Sequence, residues 1–298
     1  MKKRFLWLSL LLVAETGCLG VAWAYTPEIH QQLTFIAARQ YNRCVQDTRK
    51  FDRLSALDTR YIVKANVAQA DTNWFVRMFR WSYYNRADQT NRSAWWLVET
   101  RLHGHFTELV DDLEQGPKKR RRLQTLGQLL NYFQKVSSPP YVVPVFSGRW
   151  WRFSMNDRFN RFAVDAQAVE RAAADLCPVV LEPADSYEAV LREAAAETVA
   201  AVKSSISGFP ATWQSYWQFA DKDDAFGEYG RAGNNFGART EFRCGGERCL
   251  LLRDDPLYSE FARQRHVAAV KASMQAIALM HFGSQQEGEA MMSGGSKP

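Results

Sequence analysis

Apolar residues recur at intervals of three and four along most of this chain, a period that fits helices and that the two-residue alternation of strands does not. Thr26 and Pro27 form an N-cap and a first-turn proline, opening a helix that turns Ile29, Leu33, Ile36 and Ala37 inward. From Tyr61 to about Trp81 one stripe holds Val63, Val67, Asp71, Trp74, Met78 and Trp81. Leu123, Leu126, Leu130 and Phe133 make another, which Ser137-Ser138-Pro139-Pro140 ends. Val164 to Leu176 predicts a further helix. Asp185 with Glu188 is a capping-box variant before an alanine-rich helix that stops near Gly208-Phe209-Pro210. Trp213, Tyr216, Trp217 and Ala220 are helically spaced, and Tyr258 to Phe282 predicts a long last helix. Between Asp221 and Asp255 the period fails, and glycines at 227, 230, 233 and 237 predict a long irregular loop. The fold class is all-α: a multi-helix bundle with that loop and one small hairpin, forming a single domain over 25–282. A polar tail over 283–298 predicts disorder.

The first 24 residues predict a signal peptide. Lys2, Lys3 and Arg4 precede an apolar run from Phe5 to Val13 that is too short to span a bilayer comfortably, and Ala22 and Ala24 suit a signal peptidase cutting before Tyr25. A lipoprotein reading through Cys18 ranks below this, because Glu15 occupies the position where an apolar residue belongs. The expected location is therefore periplasmic or secreted. Four cysteines follow Tyr25, and an even number in an oxidising compartment suggests two disulfides. Cys244-Gly-Gly-Glu-Arg-Cys249 reads as a hairpin with its cysteines facing across a four-residue loop, which leaves Cys44 with Cys177. Separate buried thiols at 44 and 177 are the alternative.

Net charge is +6, falling to +4 without Lys2, Lys3, Arg4 and Glu15, a mild excess that allows an anionic partner without demanding one. Its densest run, Lys118 to Arg122, suits lipid headgroups or nucleic acid, but reads first as the solvated opening of a helix balanced by Asp111, Asp112 and Glu114. The pairs Trp95-Trp96, Trp150-Trp151 and Trp213 with Trp217 suit either a groove or a core.

Two polar residues on apolar faces carry the chemistry. Asp71 must be paired or ligating if buried, so it is either a metal ligand or the partner of an arginine such as Arg77 or Arg80. His30 is either a hydrogen-bonded core residue or a ligand. Tyr25-Thr-Pro-Glu-Ile-His30, Asn66-Val-Ala-Gln-Ala-Asp71 and the stretch from Leu126 to Tyr141 together resemble the zinc-dependent phospholipase C and single-strand-specific nuclease superfamily. The resemblance implies an all-helical bundle holding three zinc ions, with a freed aromatic N-terminus, histidines and aspartates as ligands. On that pattern Tyr25, His30 and Asp71 match, and Asp157 matches weakly. Ser82, Asn131, Lys135 and Tyr141 stand where the pattern has ligands. An ammonium does not bind zinc, so Lys135 at a bridging carboxylate position implies a salt bridge, to Asp71 or Asp157, in place of metal.

The expectation is a non-catalytic member that binds a protein, a membrane surface or a polyanion. No cofactor is expected, or zinc only where a partial site survives. A divergent metal-dependent phosphodiester hydrolase and a structural envelope component are the alternatives.

Overall fold

The computed structural model describes residues 25–48, 51–70, 84, 102–116, 118–143, 145, 157–221 and 227–293. The predicted signal segment, Asp71, Ser82 and the Trp95-Trp96 and Trp150-Trp151 pairs lie outside these residues. Helices dominate, with two small two-stranded sheets. Among the described residues, no helix is long and apolar enough to cross a membrane.

Helix α1 (Pro27–Cys44) begins as its first residues predict, with the Thr26 hydroxyl accepting the Ile29 N–H at 3.4 Å. It packs on α2 (Ala56–Ala70). Helix α3 (Leu102–Gln115) and α2 both lie against α4 (Lys119–Val136). α4 is buried on nearly every side beyond its first turn, which makes it the central post of the bundle. Its Gly127 lets α2 come close: a Cβ there would sit 2.2 Å from the Ile62 carbonyl oxygen. That close crossing sets Asn66 of α2 beside Asn131 and Gln134 of α4.

The short α5 (Pro139–Val142) follows at once, because the two prolines cannot continue α4's hydrogen bonding. Where one helix was predicted over Val164–Leu176, the chain forms α6 (Ala166–Ala173), a 3₁₀ turn over Ala174–Leu176 and α7 (Cys177–Leu181). Helix α8 (Tyr187–Lys203) is capped by Ser186, one residue beyond the predicted Asp185. The last helix, α9 (Pro256–Ser293), lies against α1, α4, α6 and α8, and runs into the stretch whose composition predicts a disordered tail. Gln285, Gln286, Glu287, Glu289 and Ala290 are good helix formers, which explains the continuation.

Two regions differ from the sequence reading. Trp213, Tyr216, Trp217 and Ala220 do not share a helix: the chain forms a 3₁₀ turn (Trp213–Ser215) and β1 (Trp217–Gln218), paired antiparallel with β2 (Glu228–Tyr229). Trp213 and Trp217 are buried in a cluster with Phe159, Phe236, Tyr258 and Phe261, so they are core and line no groove. The hairpin exists as β3 (Thr240–Cys244) and β4 (Glu247–Leu251), but its turn is the two glycines Gly245 and Gly246, both at positive φ. Cys244 pairs in register with Glu247 and Cys249 with Phe242, so the cysteines are diagonal neighbours. Their sulfurs lie at disulfide distance with Cα atoms 5.9 Å apart. Cys44 and Cys177 likewise pair, with Cα atoms 5.0 Å apart, tying the end of α1 to the start of α7.

The basic run is absorbed by the fold. Lys119 pairs with Asp58 at 3.0 Å and Arg121 with Asp112 at 3.2 Å. Arg120 lies over the Tyr61 ring, and Arg122 donates to the Met280 carbonyl.

Candidate functional site

Four helices each place uncharged polar side chains at one point in the core. They are His30 and Thr34 from α1, Asn66 from α2, Asn131 and Gln134 from α4, and Ser273 from α9, all fully buried. Their spacing on each helix is three or four, so each pair shares a face. Buried polar groups must find partners, and here they find one another.

The network has a single consistent direction. The Thr34 hydroxyl donates to the His30 carbonyl at 2.7 Å, so its oxygen can only accept from elsewhere. It accepts from Gln134 Nε2 at 3.0 Å and from Asn66 Nδ2 at 2.9 Å. Gln134 must then turn its oxygen to His30, where Oε1 lies 2.5 Å from Nδ1. A carbonyl oxygen there makes Nδ1 the N–H of the imidazole and leaves the lone pair on Nε2. Asn131 Nδ2 meets that lone pair at 3.3 Å and also donates to Asn66 Oδ1 at 3.1 Å. Ser273 donates to the Ala269 carbonyl and closes the network against α9.

A charged imidazole would present Nε2–H to the Asn131 N–H₂, so the network holds His30 neutral. Burial pushes its pKa down to about 3; the bond to Gln134 opposes the shift and the charge of nearby Lys135 adds to it. His266, on the same side of the bundle, is also pushed by burial to about 3. The Tyr25 ring meets both imidazoles, 5.7 Å from that of His30 and 5.6 Å from that of His266. Burial raises the Tyr25 phenol far above its usual range.

The second buried polar centre holds a carboxylate. Asp157 accepts from Trp217 Nε1 at 2.8 Å, the Tyr229 hydroxyl at 3.0 Å and the Phe159 N–H at 2.9 Å. Burial still raises its pKa, against the pull of these three donors. Phe159 packs on Tyr25 with ring centroids 5.9 Å apart, and Thr26 N–H donates to the Asn160 carbonyl, so the centre abuts the start of α1.

Tyr25, His30 and Asn131 are thus in one cluster, Lys135 is within electrostatic reach of His30, and Tyr141 is within that of Tyr25. The expected Lys135–Asp157 ion pair is not among those of the described residues, because indole, phenol and amide donors fill the Asp157 oxygens. Lys135 instead lies 5.5 Å from the Tyr132 ring centroid. The Lys135–Asp71 alternative lies outside the described residues. His103 and His105 fall on α3, where His105 contacts Glu108.

The described residues do not fit a zinc cluster. The His30 lone pair faces an amide N–H, Asn131 and Gln134 act as hydrogen-bond partners, and the Asp157 oxygens are occupied. Among the described residues no three His, Cys, Asp or Glu side chains group so as to hold a metal ion. Compared with protein-family models, curated proteins and solved structures, the chain matches none.

Sequence reasoning missed Gln134, Thr34 and Ser273. A signal for Gln134 was present: it stands, with Asn131, on a helix whose other positions from Leu126 to Val136 are mostly apolar.

Proposed function

We propose that this chain is an exported, non-catalytic relative of the zinc-dependent phospholipases C and single-strand-specific nucleases, and that it acts by binding. The observation that carries the reading is the engagement of both His30 ring nitrogens by carboxamides, Gln134 on one side and Asn131 on the other. A neutral network of amides and hydroxyls fills the heart of the bundle, where the resemblance implies metal. The network is sealed from solvent, and none of its groups ionises near neutral pH. It therefore offers no activated water, no nucleophile and no general base. The two disulfides suit an oxidising compartment outside the cytoplasm.

Metal analysis and turnover of a phosphodiester substrate test this on protein purified from the exporting cell. The expected result is well under three zinc ions per chain and no hydrolysis above background. Asn131→His and Lys135→Asp, made singly, restore neither. Three tightly held zinc ions together with turnover would overturn the reading in favour of a divergent hydrolase.

A further inference from the structure

The β3–β4 hairpin has two unlike faces. Inward, Phe242 meets Phe209 and Tyr216 edge to face, with centroids 5.5 Å and 6.4 Å away, and Thr240 and Leu251 are buried. The two-residue alternation puts Cys244 and Cys249 on this same face, so their link holds the register from inside. Outward stand Glu241, Arg243, Arg248 and Leu250. Arg239 and Leu252, one residue beyond the strands, continue the alternation and are exposed.

The outward charges do not balance. Arg243 lies directly opposite Arg248, a like-charge arrangement that destabilises a strand pair. Arg248 Nε reaches Glu241 Oε1 at 3.2 Å, and that carboxylate is the only anion of this face. Among the described residues, Arg239 and Arg243 have no ion-pair partner. Beside them Leu252 is 58% exposed and Leu250 is half-buried. One exposed leucine is ordinary, but two on one side of a strand, bordered by arginines, make an apolar strip with a cationic edge. Anionic groups from outside would offset the repulsion between Arg243 and Arg248, and apolar ones would cover the strip.

The same face selects among occupants. A second copy would bring the same arginines against themselves. A bilayer approached by the hairpin tip meets Gly245, Gly246 and Glu247, which offer no apolar side chain to insert. A uniform polyanion meets Glu241 in every register, whereas a protein segment can set an apolar or basic residue there. We propose that this face docks an acidic segment of a partner protein, its carboxylates on Arg239 and Arg243 and its apolar side chains on Leu250 and Leu252. The inference rests on the binding reading of the chain and gives it a partner class.

Fluorescence anisotropy of the purified intact protein with two short labelled peptides tests the proposal, one alternating glutamate with leucine and one alternating glutamate with serine. The glutamate–leucine peptide should bind more tightly, and its binding should weaken as salt rises. Arg243→Glu should weaken it about tenfold or more, while Arg192→Glu, an exposed control on α8, should change it less than about twofold. Arg243→Glu also gives Arg248 an opposite charge across the strands, so the urea midpoint should hold or rise, which separates lost docking from lost fold. Leu252→Ser should remove the preference for the leucine peptide. Binding of neither peptide, equal binding of both, or binding indifferent to both hairpin substitutions would overturn the assignment. So would tighter, Arg243-dependent binding of phosphatidylglycerol vesicles or single-stranded DNA, which would make the occupant a lipid surface or a nucleic acid. Phosphodiester turnover would overturn the non-catalytic reading alone, because the peptides read the hairpin directly.

Discussion

The His30 network and the Asp157 clamp lie side by side in one core and solve the same problem in opposite ways. Around His30, every member is neutral and most polar atoms meet a partner, Asn131 Oδ1 being an exception. Around Asp157, one carboxylate takes three donors, and burial still raises its pKa. The first arrangement resists protonation of its imidazole. The second keeps a charge that the surrounding fold must tolerate. What differs is the number of elements supplying partners: four helices converge on His30, while the Asp157 donors come from short strands and a turn.

The largest effect should come from breaking the clamp. Asp157→Ala strands a buried indole N–H, a phenol and a backbone N–H, and should cost about 3–5 kcal/mol in urea unfolding. A cost below about 1 kcal/mol would mean that the three donors find other partners. Thr34→Val removes the hydroxyl that orients the network, leaving Gln134 and Asn66 amide protons without an acceptor. A loss of about 2–4 kcal/mol is expected. A neutral result would show that the amides reorganise and that the deduced direction is wrong.

The two regions should also differ in their response to pH. His30 and His266 have folded pKa values near 3, below the ordinary 6.5, so the unfolded chain binds more protons between those values. Their contribution is fully present above pH 6.5 and is lost as pH falls toward 3. From pH 7 to 5.5 the pair should cost about 2.5 kcal/mol. Asp157, with its pKa raised, works in the opposite sense: its contribution is present below its unfolded pKa and is lost as pH rises through the folded one. Urea midpoints measured across pH 7 to 5.5 check the histidine slope, and a flat profile would contradict it. Lys119→Ala, at a pair where the lysine is 74% exposed, should cost under about 1 kcal/mol and gives the surface benchmark for both regions.

How much of this the sequence made legible follows from what leaves a periodic trace. Helices α1 and α4 were readable because Thr26-Pro27, Ser137 and the two prolines mark their ends and leucines mark their faces. Trp213 to Ala220 misled because aromatics spaced three and four apart also suit an irregular segment wrapped around Phe236 and Phe261. The hairpin was right in kind, but its diagonal disulfide made a two-residue turn look like a four-residue loop. In the site, His30 stood out by its chemistry. Gln134 carried a signal in its apolar helix, but Thr34 and Ser273 did not, because a hydroxyl looks the same in sequence whether it faces water or closes a buried network.

His30 is a neutral hydrogen-bonding residue held by two amides. Long-range ¹⁵N–¹H NMR of the imidazole, on purified protein before and after adding zinc, reads both ring nitrogens. Nδ1 should be protonated and Nε2 unprotonated, unchanged from pH 7 to pH 5 and unmoved by zinc. A zinc-dependent shift of either His30 nitrogen, or titration of the ring near pH 6.5, would contradict it.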